Sequence, residues 1–318
     1  MSIEEQRLKT QVELVEITEA YDDQRLDNFL ITRLKGVPKS RIYRIVRKGE
    51  VRVNKSRVDA KYRLSIGDIV RIPPIRMAEA EQPAVVSHHL QHKLDSAILY
   101  EDDGLIVLNK PAGFAVHGGS GINGGIIEAL RQLRPDAHFL ELIHRLDKDT
   151  SGCLLIAKKR SALRQLHELF REDKVQKTYL ALLAGRWAKT KQTVNAPLQK
   201  NIRQSGERMV MISATGKEAE TVFTRIKLYQ AATLVEASPK TGRTHQIRVH
   251  AKSLGHPIIG DERYGIEEAN KHFKSKGYHR MFLHAATLTF QHPVTGKPIT
   301  ISAPLPEQLQ QLLNNEAL

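Results

Sequence analysis

"HRLDKDTSG" (His144–Gly152) lies between two apolar runs, "FLELI" before it and "CLLIA" after it. A plain turn between two strands needs only a glycine and one or two small polar residues. This one carries two carboxylates, two cations and an imidazole. A carboxylate does chemistry in a cleft when a cation keeps it ionised and a fixed backbone aims it. Asp147 meets that description, in a loop braced on both sides, with Thr150 and Ser151 expected to pin the loop through side-chain to backbone bonds. Asp149 is the rival carboxylate, but beside Lys148 it fits a solvated turn. On spacing alone, a charged surface loop accounts for the same residues.

Outward from the loop, the pattern is that of an α+β domain with a largely antiparallel sheet. "AILYEDDGLIVLNKPAGFAVHGG" opens it with two strand-like stretches around a turn at Asp103-Gly104. "GIIEALRQL" and "RSALRQLHELF" read as amphipathic helices, the second with Leu163, Leu166 and Phe170 on one face. "KTYLALLAG", "TVFTRIKLY" and "ATLVEASP" read as strands, and "THQIRVHAKSLG" as a helix ended by Gly255. "GSGING" (Gly119–Gly124) matches the dinucleotide pattern G-x-G-x-x-G. It stands too far from the preceding strand to hold a pyrophosphate, and no acidic residue follows at the required distance. It reads as a flexible loop.

The chain has 318 residues, which favours two domains. It carries 49 Lys and Arg against 35 Asp and Glu, a net charge of +14. That balance suits a polyanionic partner, nucleic acid or an anionic membrane surface. No apolar run approaches the roughly 20 residues of a spanning helix. The polar first residues resemble neither a secretory signal nor a basic transit peptide. The single cysteine, Cys153, allows neither an internal disulfide nor a cysteine-based zinc site. The expectation is a cytoplasmic, monomeric protein with no membrane association.

Between Arg25 and Arg76 there are 15 Lys and Arg against 4 Asp and Glu, so most of the excess charge sits in one short region. "RLDNFLITRL" places Leu26, Phe29, Leu30 and Leu34 on one helix face. Ser40 is placed to N-cap a second helix, "RIYRIVRKG", ended by Gly49. Its inward residues are Ile42, Ile45 and Val46, leaving Arg41, Arg44 and Lys48 as an outward basic ridge. "EVRVN" and the stretch after the Gly67-Asp68 turn read as strands. The segments "RLDNFL", "KSRIYRIVRKGEVRVN" and "LSIGDIVRI" resemble an S4-type RNA-binding domain. The expected boundaries are an N-terminal extension over 1–20, the S4-like domain over 21–76, a linker over 77–93 and a second domain over 94–318.

"HRLDKDTSG" itself resembles the catalytic stretch of the RluA-type pseudouridine synthases. "NKPAGFAVHGG", "QKTYLALLAG", "SPKTGRTHQIRVHAKSLGHPIIGDERYG" and "FLHAATLTFQHP" match that family in the same order. With the S4-like domain in front, the likeness narrows to the RluC-type synthases of 23S ribosomal RNA. The resemblance implies a synthase domain with a mixed, largely antiparallel sheet flanked by helices, and isomerisation of uridine to pseudouridine in large-subunit RNA after base flipping. It implies Asp147 as the aspartate that opens the glycosidic bond, by attack on the sugar or by removing a C2′ proton. Tyr179 corresponds to the tyrosine against the uracil ring, with a part in removing the C5 proton, and Arg248 to the basic partner of the aspartate. Arg145 corresponds to the arginine that enters the space left by the displaced base, and Arg243 and His245 are expected as RNA contacts. No cofactor and no metal are implied, because the reaction has no net redox or hydrolysis. A non-catalytic RNA-binding assembly factor would show a broken Asp, Tyr or Arg motif, and none is broken. A methyltransferase would need a Gly-rich loop directly after a strand, which "GSGING" does not provide.

Overall fold

The computed structural model describes residues 11–34, 36–75, 88–118, 124–137, 139–202 and 208–314. The chain divides into two compact units, residues 1–85 and 86–318.

In the first unit, β1 (Glu13–Glu16), α1 (Leu26–Arg33), α2 (Lys39–Arg47), β2 (Arg52–Val53) and β3 (Ile69–Ile72) follow one another. The sheet is antiparallel in the order β1-β3-β2. Leu26, Phe29, Leu30 and Leu34 are buried with Ile42, Ile45 and Val46, as the helical spacing requires. Arg41, Arg44 and Lys48 are exposed, and Gly49 ends the helix at φ +73°.

Two expectations differ. The residues taken as an N-terminal extension contribute β1, because β3 has an edge that this segment pairs. Ser40 does not cap α2: the helix starts at Lys39 with Pro38 at the N-cap position, and the rigid proline φ sets the entry.

The second unit begins with α3 (His88–Asp95), β4 (Ile98–Glu101), β5 (Leu105–Lys110), α4 (Ile126–Leu133) and β6 (Glu141–Leu142). It continues with β7 (Ser151–Ala157), α5 (Arg160–Arg171), β8 (Gln176–Ala184), β9 (Lys191–Asn195), β10 (Leu198–Ile202) and β11 (Arg208–Ile212). It ends with β12 (Glu220–Leu228), β13 (Ala232–Pro239), α6 (Gln246–Ser253), α7 (Glu267–Ser275), β14 (Leu283–Gln291), β15 (Pro298–Ser302) and α8 (Glu307–Asn314). The residues read as linker therefore end in a helix: Leu90 and Leu94 of α3 are buried against Ile127 and Leu130 of α4. Residues 119–123 of "GSGING" lie outside the described residues. Among the described residues no helix is long and apolar enough to cross a membrane.

The main sheet runs β4-β5-β7-β14-β8-β13-β12-β9, with β6 on β7 and β15 on β14. Every pairing is antiparallel except β7 with β14. β7 is buried along its whole length, as a central strand covered on both faces must be. Apolar clusters lie on its two faces, around Leu154 and Ile156 on one and around Cys153 and Leu155 on the other. β10 and β11 pair antiparallel in a separate two-stranded sheet.

Candidate active site

The decisive loop returns the chain from β6 into β7. Leu142 pairs with Ile156, and the Thr150 amide closes a turn on the Asp147 carbonyl at 3.1 Å. Gly152 fixes where the loop ends. It lies at φ +110°, and a Cβ there would sit 2.2 Å from the Ala285 carbonyl oxygen, so the residue must be glycine for β14 to lie alongside. In that row Gly152 pairs with Ala285, and Ala285 pairs with Tyr179. One small residue thus separates the loop strand from the strand carrying Tyr179. Two strand spacings, about 9.6 Å, span the row.

The loop is held differently from the expectation. The Ser151 hydroxyl bonds side chains, receiving a 2.8 Å hydrogen bond from Arg280 and meeting His284 Nδ1 at 2.9 Å. The backbone anchor is Lys110, wholly buried. Its Nζ donates to the carbonyls of Pro111, Phe114 and Lys148 at 2.8, 2.8 and 3.0 Å. Burial pushes its pKa down to about 7. His144, at the loop's start, accepts from the Leu155 amide at 3.0 Å and stacks on Phe170. Burial, with the Lys177 charge adding, pushes this imidazole down to about 3.

Arg248, on α6, reaches Asp147 with Nη1 at 3.0 Å. Its Nε and Nη2 donate to both oxygens of Asp261 at 2.7 and 2.8 Å. Burial opposes the charge on Arg248, but Asp261 and then Asp147 outweigh it and push the pKa up. Burial likewise favours the protonated form of Asp261, yet Arg248 and the amides of Arg263 and Tyr264 hold it below the usual carboxylate range. One guanidinium therefore joins a wholly buried carboxylate to one that is 24% exposed. The loop before α6 is fixed by Gln246, which accepts from Thr241 and Arg243 and donates to Glu220 and Thr221.

Two cavities meet at Asp147. An open cleft of about 1320 Å³ is lined by Lys110, Asp149, Arg263 and Arg280 as well as Asp147. A smaller cavity of about 310 Å³ is lined by Tyr179, His144, Lys177 and Arg243. Arg145, His245 and Arg248 border both. Burial, with the Asp147 charge adding, pushes the Tyr179 phenol well above its ordinary pKa, so it stays neutral. Lys177 lies two residues along the same face of β8, its Nζ 5.9 Å from the Phe170 ring centre.

The structure thus brings Asp147, Tyr179, Arg248, Arg145, Arg243 and His245 to one place, while Arg41, Arg44 and Lys48 belong to the first unit. Asp149 is exposed, as a solvated turn requires. His245 is 3.8 Å from Asp147, beside the carboxylate itself. Sequence reasoning missed Lys110, Asp261, Tyr264 and Arg280. For Asp261 a partial signal was present: "GDERYG" places two acids, Asp261 and Glu262, between glycines, and a buried arginine needs a counter-charge.

A family model described as RNA pseudouridylate synthase matches residues 104–253, and an S4 domain model matches residues 24–70. The ribosomal large subunit pseudouridine synthase C of Yersinia pestis is 57% identical over 308 residues, 95% of each chain. The protein of that name from Escherichia coli (strain K12) is 58% identical over 306 residues, 95% of this chain and 96% of the other. Among solved structures, human RNA pseudouridylate synthase domain containing 4 superposes with a TM-score of 0.58 at 28% identity. It covers 71% of this chain and 94% of its own.

Proposed function

This chain belongs to the RNA pseudouridylate synthase family, and on that premise we propose that it isomerises particular uridines of large-subunit ribosomal RNA to pseudouridine in the cytoplasm. The observation that carries the reading is Asp147 on the wall shared by two cavities, held by an arginine that a second, buried carboxylate braces. The RNA strand follows the open cleft, whose border includes Lys110, Arg263 and Arg280. The uridine leaves its stack, at a cost of a few kcal/mol, and its base enters the smaller cavity against Tyr179. Arg145, at the mouth of both cavities, takes the vacated space. There the N1–C1′ bond breaks with Asp147 acting on the ribose, and the base turns to present C5. The C5–C1′ bond then forms, the C5 proton passes by way of the Tyr179 hydroxyl to water, and N1 takes a proton from water. Nothing is oxidised, reduced or hydrolysed, so side chains suffice. The neutral Tyr179 phenol serves as an apolar wall with a hydroxyl near C5, not as a phenolate. The first unit adds phosphate contacts through Arg41, Arg44 and Lys48, and the enzyme works as a monomer.

The test is tritium release from large-subunit RNA labelled at C5 of uridine. The wild-type protein should release it, and Asp147→Ala should abolish release while RNA affinity stays within about threefold. Release by Asp147→Ala, or equal loss in a folded Asp149→Ala, would refute the assignment. Tyr179→Phe should bind RNA normally and slow turnover at saturation.

A further inference from the structure

His245 lies outside the chemistry just proposed, yet its geometry is unusually constrained. It occupies the left-handed region (φ 54°, ψ 20°) immediately before α6, a conformation that non-glycine residues adopt at a cost. Its Nδ1 is 2.8 Å from the Tyr264 hydroxyl. That hydroxyl oxygen already accepts from the Val210 amide at 3.0 Å. Tyr264 is 2% exposed, so its one hydroxyl proton needs an acceptor within the protein. Nδ1 is the acceptor at hand. If Nδ1 carried a proton, the phenol would receive two hydrogens and its own would be stranded, costing about 1–3 kcal/mol. The network therefore selects the imidazole protonated on Nε2, and that nitrogen faces Asp147 Oδ2 at 3.8 Å.

Resting on the reading of Asp147 above, we infer that His245 is a positioning residue: a neutral imidazole, locked by Tyr264 into the Nε2–H form, whose N–H directs Asp147 toward the ribose. Arg248 approaches the same oxygen at 3.0 Å, so the two donors leave Oδ1 as the atom free to act. The 3.8 Å separation shortens to a hydrogen bond when RNA displaces water from the cleft. A second guanidinium here would repel Arg248, whereas a neutral donor aims the carboxylate without competing charge. The state of the imidazole agrees: burial lowers its pKa and the charge of Asp147 opposes this, but with Arg248 and Arg263 also lowering it the neutral form prevails at pH 7. The arrangement also gives a part to the Tyr264 hydroxyl, in a residue whose ring lies 5.0 Å from the Arg248 guanidinium and whose amide donates to Asp261.

The experiment has two arms on the full-length protein. Imidazole nitrogen resonances of labelled protein, assigned with His245→Gln, should show Nδ1 unprotonated and Nε2 protonated, and Tyr264→Phe should loosen that preference. In single-turnover assays at saturating RNA, His245→Ala should lower the rate about 10-fold to 100-fold, with affinity changed less than about threefold. His245→Gln, whose side-chain N–H reaches the Nε2 position, should recover most of the rate. His245→Asn, whose N–H falls near Nδ1, should not. Ala and Gln carry the same left-handed backbone strain, so their comparison cancels it. A protonated Nδ1, or a folded His245→Gln no better than Ala, overturns the proposal. A loss confined to affinity overturns it too, and makes His245 a phosphate contact. Wild-type turnover reads the parent function separately: if wild type forms no pseudouridine, that reading falls, and the resonances still decide the tautomer.

Discussion

Replacing Arg248 by methionine removes the guanidinium that joins Asp147 to Asp261, and its two consequences separate. Arg248 is 8% exposed and the Asp261 side chain 0%, so the variant strands a carboxylate in the interior. Breaking a buried pair in this way costs about 3–5 kcal/mol. Asp261 Oδ1 keeps the amides of Arg263 and Tyr264 at 2.9 and 3.0 Å, which places the loss near the lower end, about 3 kcal/mol. Arg248→Met with Asp261→Asn removes the stranded charge while an amide oxygen still serves both backbone donors. That double variant should regain about 2 kcal/mol. Neither variant restores the charge-assisted bond to Asp147, worth about 1.5–3 kcal/mol, so both should lose about 10-fold to 100-fold in single-turnover rate. Trp187, the chain's one tryptophan, is buried in the second unit, so its fluorescence in urea follows that unit's unfolding. If the double variant recovered rate together with stability, Arg248 would be scaffold and nothing more. If Arg248→Met cost no stability, the Asp261 pairing would not be what holds the loop.

Gly152→Ala should destabilise the second unit by at least about 2 kcal/mol and cut turnover, because its Cβ meets the Ala285 carbonyl at 2.2 Å; an unchanged urea midpoint would contradict the register. Replacing Arg41, Arg44 and Lys48 together by alanine should weaken RNA binding and flatten its salt dependence by about two units, with the saturated single-turnover rate kept; an unaltered slope would mean the ridge touches no phosphate. His144 stays neutral in the folded state to about pH 3, while the unfolded imidazole takes a proton near pH 6.5. The unfolded state therefore binds more protons between those values, and stability falls as pH drops through that window. The fall should be shallower in His144→Gln, measured by Trp187 fluorescence at pH 7.5 and 5, and an equal fall would place the titrating group elsewhere.

Local physics was legible in the chain. Helices α1, α2, α5 and α6 follow from apolar residues at helical spacing, and Gly49 and Gly255 end two of them with left-handed backbones. The order of motifs identified the family, and the asymmetry of charge marked the basic ridge, because both depend only on residue identity along the chain. Asp147 was nameable for the same reason. The family likeness also named Arg248, Tyr179 and Arg145, but the chain by itself could not bring them to Asp147. Arg248 meets Asp147 across 101 positions and Arg280 meets Ser151 across 129, and no period of 2 or 3.6 carries information over such separations. The strand order decides the rest: β14 between β7 and β8 sets Gly152, Ala285 and Tyr179 in one row and brings His284 against Ser151, while Lys110 reaches the loop from the end of β5. Read along the chain, His245 is one more expected RNA contact. Only packing against Tyr264 and Val210 determines which of its nitrogens holds the proton, because a tautomer is chosen by hydrogen-bond partners that the fold alone assembles.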